Sequence, residues 1–94
     1  MITAIVLIKA TAETIPDAAQ AIADVEGVQE VYSCAGDVDL IALVKVAQHE
    51  DLAALVPGEI SKVPGVLSTD THIAFRSYSR RDTEDTFSAG LDGA

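Results

Sequence analysis

Ninety-four residues are enough for one small domain, marginal alone and helped by a partner. Fifteen acidic against six basic residues give a net charge of −9, which repels a phosphate backbone and argues against direct nucleic-acid binding. The longest opening apolar run, Ile2 to Ile8, falls far short of the roughly 20 residues a bilayer requires.

Apolar residues make up 49% of the chain, with no tryptophan, so the core must be aliphatic. The single cysteine, Cys34, allows no internal disulfide and reads as a small hydrophobe. No signal peptide precedes the first strand, and a reduced, cytoplasmic setting is expected. The one basic cluster, Arg76, Arg80 and Arg81, is diluted by Asp82, Glu84 and Asp85.

The chain repeats itself. Asp24-Val25-Glu26-Gly27-Val28 recurs as Ser61-Lys62-Val63-Pro64-Gly65-Val66, the glycines lying 38 residues apart. Each copy follows an apolar strand-like run and a helix-like run, so the order reads βαββαβ in an α+β domain.

The first strand spans Ile2 to Lys9, rich in β-branched residues. Thr14 fits a helix N-cap with Asp17 completing a capping box, and Pro16 is tolerated in the first turn. Ile15, Ala18, Ala19, Ile22 and Val25 then form one apolar stripe, and Gly27 suits a left-handed C-cap. A second strand runs from about Val28 to Ala35. Gly36-Asp37 reads as a tight hairpin turn into a third strand, Val38 to Val46.

The second helix is expected over His49 to Val63, with Leu52, Leu55, Val56, Ile60 and Val63 toward the sheet. Pro57 removes a helical hydrogen bond and clashes with the carbonyl four residues back, so a kink or break is expected near Ala53 to Pro57. Gly65 closes that element, and Val66 to Ser77 forms the fourth strand. Residues 1–78 thus make the domain, and 79–94 a polar extension with one helical turn over 82–87 anchored by Phe87.

Strand side chains alternate between faces, and both faces of the first and third strands are largely apolar. Two helices shield one face of a four-stranded sheet. The other carries Ile5, Leu7, Ile41 or Leu43, and an uncovered patch of that kind marks a protein contact. A homodimer with its sheets face to face is the economical arrangement. A monomer covered by its own tail would have only Phe87 and Leu91 to offer.

Catalytic motifs are thin. No glycine-rich phosphate loop is present, and His49 and His72 lack metal-ligand spacing, so neither metal nor cofactor is expected. The cluster Gly36, Asp37, Val38 and Asp39 permits two readings. A hairpin tip can hold a carboxylate on its backbone N–H groups and an ammonium on its aspartates, which suits an amino acid; or the aspartates serve the turn and solubility. Ser68, Thr69, Asp70 and Thr71 add polar groups, though threonine is also a good edge-strand residue.

Glu26-Gly27-Val28-Gln29-Glu30-Val31-Tyr32, Ala35-Gly36-Asp37-Val38-Asp39-Leu40 and Val63-Pro64-Gly65-Val66 with Thr69 and Thr71 together resemble the effector-binding RAM domain of the Lrp/AsnC family of transcription regulators. The resemblance covers about Ile2 to Phe75. It implies a ferredoxin-like protomer pairing through its sheet as a dimeric α/β barrel, and further assembly into rings. It also implies an amino-acid effector between protomers, near Gly36, Asp37 and Asp39, with Thr69 and Thr71 facing the ligand and Tyr32 and Leu40 lining the pocket. The family's helix-turn-helix domain has no counterpart ahead of Ile2, so the chain resembles a stand-alone RAM domain that acts with full-length regulators and not on DNA directly.

Two kinds of function follow: a non-catalytic amino-acid sensor, or a cofactor-free enzyme such as a monooxygenase or isomerase on the same dimeric fold. The enzyme would need an enclosed cavity with a titratable group, for which His72 is the candidate. A pure oligomerisation module is a third possibility.

Overall fold

The computed structural model describes residues 1–80. β1 (Ile2–Ala10) leads through a 3-10 turn (Ala12–Thr14) into α1 (Ile15–Ala23), and β2 (Val28–Ser33) and β3 (Leu40–Val46) follow. Then come α2 (His49–Leu55), a second 3-10 turn (Ile60–Lys62) and β4 (Val66–Ala74). The strands form one antiparallel sheet in the order β2-β3-β1-β4. This is the expected ferredoxin-like βαββαβ arrangement, and its two central strands are the two most apolar runs in the chain.

Parity along the central strands decides which face the helices cover. Ala4, Val6 and Ile8 on β1 and Leu40, Ala42 and Val44 on β3 are fully buried. They pack with Ala18 and Ile22 of α1, Leu52 and Leu55 of α2, and Val56 and Ile60 beyond it. No side chain of this core is polar.

α2 breaks where proline requires it. The helix ends at Leu55, two residues before Pro57, and the chain continues through turns to Ile60. Val56 and Ile60 stay in the core across the interruption, so the break redirects the backbone without costing the apolar contact.

Several local expectations are corrected. Thr14 precedes α1, but its hydroxyl donates to the Thr11 carbonyl oxygen at 2.8 Å and makes no cap bond, so the box with Asp17 does not form. The reciprocal bond occurs instead at α2, where the Asp51 carboxylate accepts the Gln48 N–H at 3.0 Å. α1 ends at Ala23, before Gly27. Gly27 lies in a separate turn in which the Val28 N–H donates to the Val25 carbonyl oxygen, and Gly65 repeats it between Val63 and Val66. Their φ angles of 100° and 95° are those a type II turn asks of its third residue. The similar segments therefore build the same turn twice.

Strands β2 and β3 are joined by a six-residue loop, 34–39, and not by a two-residue turn at Gly36-Asp37. β4 ends at Ala74, short of Ser77. The helical turn expected over 82–87, with Phe87, lies outside the described residues.

Candidate functional site

The sheet face away from the helices has a regular layout. Its centre is Ile5 and Leu7 on β1 beside Leu43 and Ile41 on β3, joined by the pairs Ile5↔Leu43 and Leu7↔Ile41. Ile5 is 38% exposed while its neighbours Ala4 and Val6 are fully buried, which identifies this face as the uncovered one. On the β2 edge Glu30 pairs with Leu43 and Tyr32 with Ile41. On the β4 edge His72 pairs with Ile5 and Asp70 with Leu7.

Each edge carries an internally bonded polar couple. The Tyr32 hydroxyl donates to the Glu30 carboxylate, and the His72 Nε2 lies 3.2 Å from an Asp70 carboxylate oxygen. The bond to Glu30, with some burial and the negative charge of that carboxylate, raises the Tyr32 phenol above its ordinary pKa. An apolar square between two polar borders is thus presented to whatever lies above the sheet.

The loop between β2 and β3 is anchored at its base and open at its tip. Asp39 holds the base, its carboxylate accepting the Ala10 N–H at 2.9 Å and its own N–H donating to the Ile8 carbonyl oxygen. The Cys34 N–H donates to the Asp39 carbonyl oxygen, and the half-buried Cys34 thiol lies 3.4 Å from the Val38 carbonyl oxygen. Gly36 has φ 133° with no heavy atom near the position a Cβ would take, and Asp37 is exposed.

The seven residues expected to form a ligand site do not converge within one protomer. Gly36 and Asp37 are at the loop tip, and Asp39 is engaged at its base. Tyr32 lies on the open face, whereas Leu40 is fully buried in the core. Thr69 and Thr71 pair with Ile8 and Val6 and so share the helix side of the sheet. There the Thr69 hydroxyl lies 3.3 Å from that of Ser61.

Two clefts lie elsewhere. One of about 540 Å³ is bordered by Glu26, Gly27, Lys45, Asp51, Leu55 and Glu59, at the end of β3. Another of about 350 Å³ runs between α2 and β4, along Leu52, Val56, Pro57, Thr71 and Ile73. Of the seven expected residues only Thr71 borders either of these clefts, the second; the rest of each lining comes from elements distant in the chain, which sequence reasoning did not bring together. His72 borders neither cleft.

Comparison with known proteins agrees with this architecture. A family model described as the Lrp/AsnC ligand binding domain matches residues 3–84. The chain belongs to the Lrp/AsnC family. An uncharacterized HTH-type transcriptional regulator of Pyrococcus horikoshii is 36% identical over 72 residues, 77% of this chain and 48% of the relative. This Lrp/AsnC domain therefore spans about half the length of the curated relatives it matches.

Among solved structures, a protein of Thermus thermophilus superposes with a TM-score of 0.80 at 42% identity, covering 85% of this chain and all of that one. The feast or famine regulatory protein from M. tuberculosis, complexed with L-methionine, superposes with a TM-score of 0.71 at 30% identity. That match covers 86% of this chain and 55% of the other. Among the described residues no helix is long and apolar enough to cross a membrane.

Proposed function

We propose that this chain is an amino-acid-binding regulatory domain that pairs through its uncovered sheet face and takes a small amino-acid effector at a subunit interface. Residues 1–78 form the binding unit, acting in the cytoplasm on assembly or on full-length regulators of the same family, without touching DNA. The observation that carries the reading is the apolar square of Ile5, Leu7, Ile41 and Leu43 on a sheet face that neither α1 nor α2 covers.

Burying a leucine or isoleucine contributes roughly 1.5–3 kcal/mol, so these four from each chain supply ample drive for association. The β2–β3 loop then offers Gly36 and Asp37 to a ligand shared with a neighbour, and Asp39 keeps that loop in place. Tyr32, Leu40, Thr69 and Thr71 complete the proposed set, Leu40 as support from the core. An amino-acid ligand is supported by the L-methionine complex of the M. tuberculosis regulator. A ligand touching two protomers stabilises whichever assembly presents both halves of its site.

Binding without catalysis is the reading favoured over the enzyme alternative. The curated relatives are named as transcriptional regulators, and His72 sits on an exposed sheet edge. Thermal melting with each standard amino acid at millimolar concentration, alongside light scattering, tests the proposal. At least one amino acid should raise the midpoint and shift the assembly size. A flat response to all of them would sink the sensor reading and leave an oligomerisation module.

A further inference from the structure

We propose that residues 75–80 form an aromatic and basic arm that docks in the acid-edged cleft at the end of β3 of a second copy of this chain. The surface is separate from the uncovered sheet face, and the inference does not rest on the pairing proposed above.

The arm stands out in an acidic protein. Phe75-Arg76-Ser77-Tyr78-Ser79-Arg80 holds two of the chain's six basic residues and no carboxylate, while the whole chain carries −9. It follows β4 directly. Phe75 is fully exposed and Tyr78 is 82% exposed, so neither ring packs on the domain that bears it. An aromatic side chain buries about 150–250 Å² when covered, and aromatics with arginine are the residue types enriched where proteins meet.

The cleft of about 540 Å³ has the complementary chemistry. Val46, Ala54 and Leu55 give it an apolar wall, and Glu26, Asp51 and Glu59 border it with carboxylates. Asp51 is engaged with the Gln48 N–H, whereas Glu26 and Glu59 are exposed. Neither of these two has an ion partner among the described residues, and neither has Arg76. Lys45 and Met1 also border the cleft. Alternation along β3, between the buried Val44 and Val46, turns the Lys45 side chain to the open sheet face. Met1 leaves one amino group against three carboxylates.

Position decides the occupant. Thr3 of β1 pairs with Ala74 on one side and with Lys45 on the other, so the arm leaves the sheet at the end where the cleft opens. Two strand spacings, about 10 Å, separate β4 from β3. One residue beyond Ala74 spans at most about 3.6 Å, so Phe75 cannot enter the cleft of its own chain. In a pair related by a two-fold axis at this end, each arm covers the other chain's cleft and both contacts close together. Arms of six residues are small beside the roughly 20–30 residues a side of a standard interface, so the association is weak and appears at high concentration.

The test is sedimentation equilibrium of the full chain over a concentration series, with charges exchanged between arm and cleft. Arg76→Glu with Arg80→Glu, and separately Glu26→Lys with Glu59→Lys, should each raise the dissociation constant of this step roughly tenfold or more. An equimolar mixture of the two variants should recover it, because each arm then meets a cleft of opposite sign. Glu13→Lys with Asp17→Lys makes the same change in net charge at α1 and should give no recovery when mixed with the arm variant. Phe75→Ser should weaken the step while far-UV circular dichroism keeps its shape. Sheet-face pairing involves none of these residues, survives every variant and reports its own presence separately. A parent chain with no concentration-dependent step beyond sheet-face pairing overturns the inference. So do variants that associate like the parent, a mixture that fails to recover, and recovery that the α1 variant matches.

Discussion

The Asp39 carboxylate accepts the backbone N–H of Ala10, 29 positions away, at 2.9 Å. Ala10 ends β1, is only 6% exposed and follows the register shift between β1 and β4. Its N–H has left the ladder, and a loop aspartate satisfies it. The bond ties the β2–β3 loop to the far end of the chain's first strand.

Asp39→Ala should therefore destabilise the domain by about 1–3 kcal/mol, because it leaves a poorly hydrated donor unpaired. Asp39→Asn keeps an oxygen in place and should recover much of the loss. Urea denaturation of the two variants beside the parent chain decides the matter. Equal stability of Asp39→Ala and the parent would remove the latch from the account.

The two similar turns should respond differently to alanine. A Cβ at Gly65 would lie 2.1 Å from the Thr14 hydroxyl oxygen, and Thr14 is held by its bonds to Thr11. A Cβ at Gly27 would meet the end of the Leu55 side chain at 2.7 Å, a group that can rotate aside. Both changes strain a positive φ and should cost more than about 1 kcal/mol, with Gly65→Ala the worse of the two. Chemical denaturation gives the order directly.

Leu43→Glu should separate protomers without unfolding them. Leu43 is half-buried on the open face of a single chain, so a charge there meets water in a monomer and desolvation in a dimer. Light scattering should report a halved mass while far-UV circular dichroism keeps its shape. A variant that stays dimeric would place the contact on another face.

Tyr32 should ionise late. Its phenol is raised above the ordinary value near 10, first by its bond to Glu30, then by burial and by that carboxylate's charge. The neutral phenol is the favoured folded form, so its contribution to stability is complete below the unfolded-chain value and is lost as pH rises through the folded one. Absorbance titration should show Tyr32 ionising at higher pH in the parent than in Glu30→Gln. A Tyr32 step unmoved by Glu30→Gln would contradict the bond.

How much of this is legible in the chain depends on how local the signal is. Alternation in Ile2–Ala10 and Leu40–Val46 belongs to the strand itself, so both central strands and their double apolar character can be read directly. Pro57 acts on the carbonyl four residues back, and the break in α2 falls where that clash lies. Thr14 misleads because its hydroxyl has two partners in reach, the first turn of α1 and Thr11, and residue type does not rank them. β4 has no apolar alternation, so nothing in 66–74 tells that Thr69 and Thr71 share the helix side while Asp70 and His72 share the open one.

By itself, then, the sequence determined the order of elements, the repeated turn and the excess of apolar strand surface over what two helices can shield, since each depends on residues close in the chain. The tertiary structure alone decided which side chains share a face. Register is set by hydrogen bonds between strands tens of residues apart, and moving a strand by one residue turns all its side chains to the other side. The placement of His72 and Glu30 on opposite borders of one apolar square arose at that level.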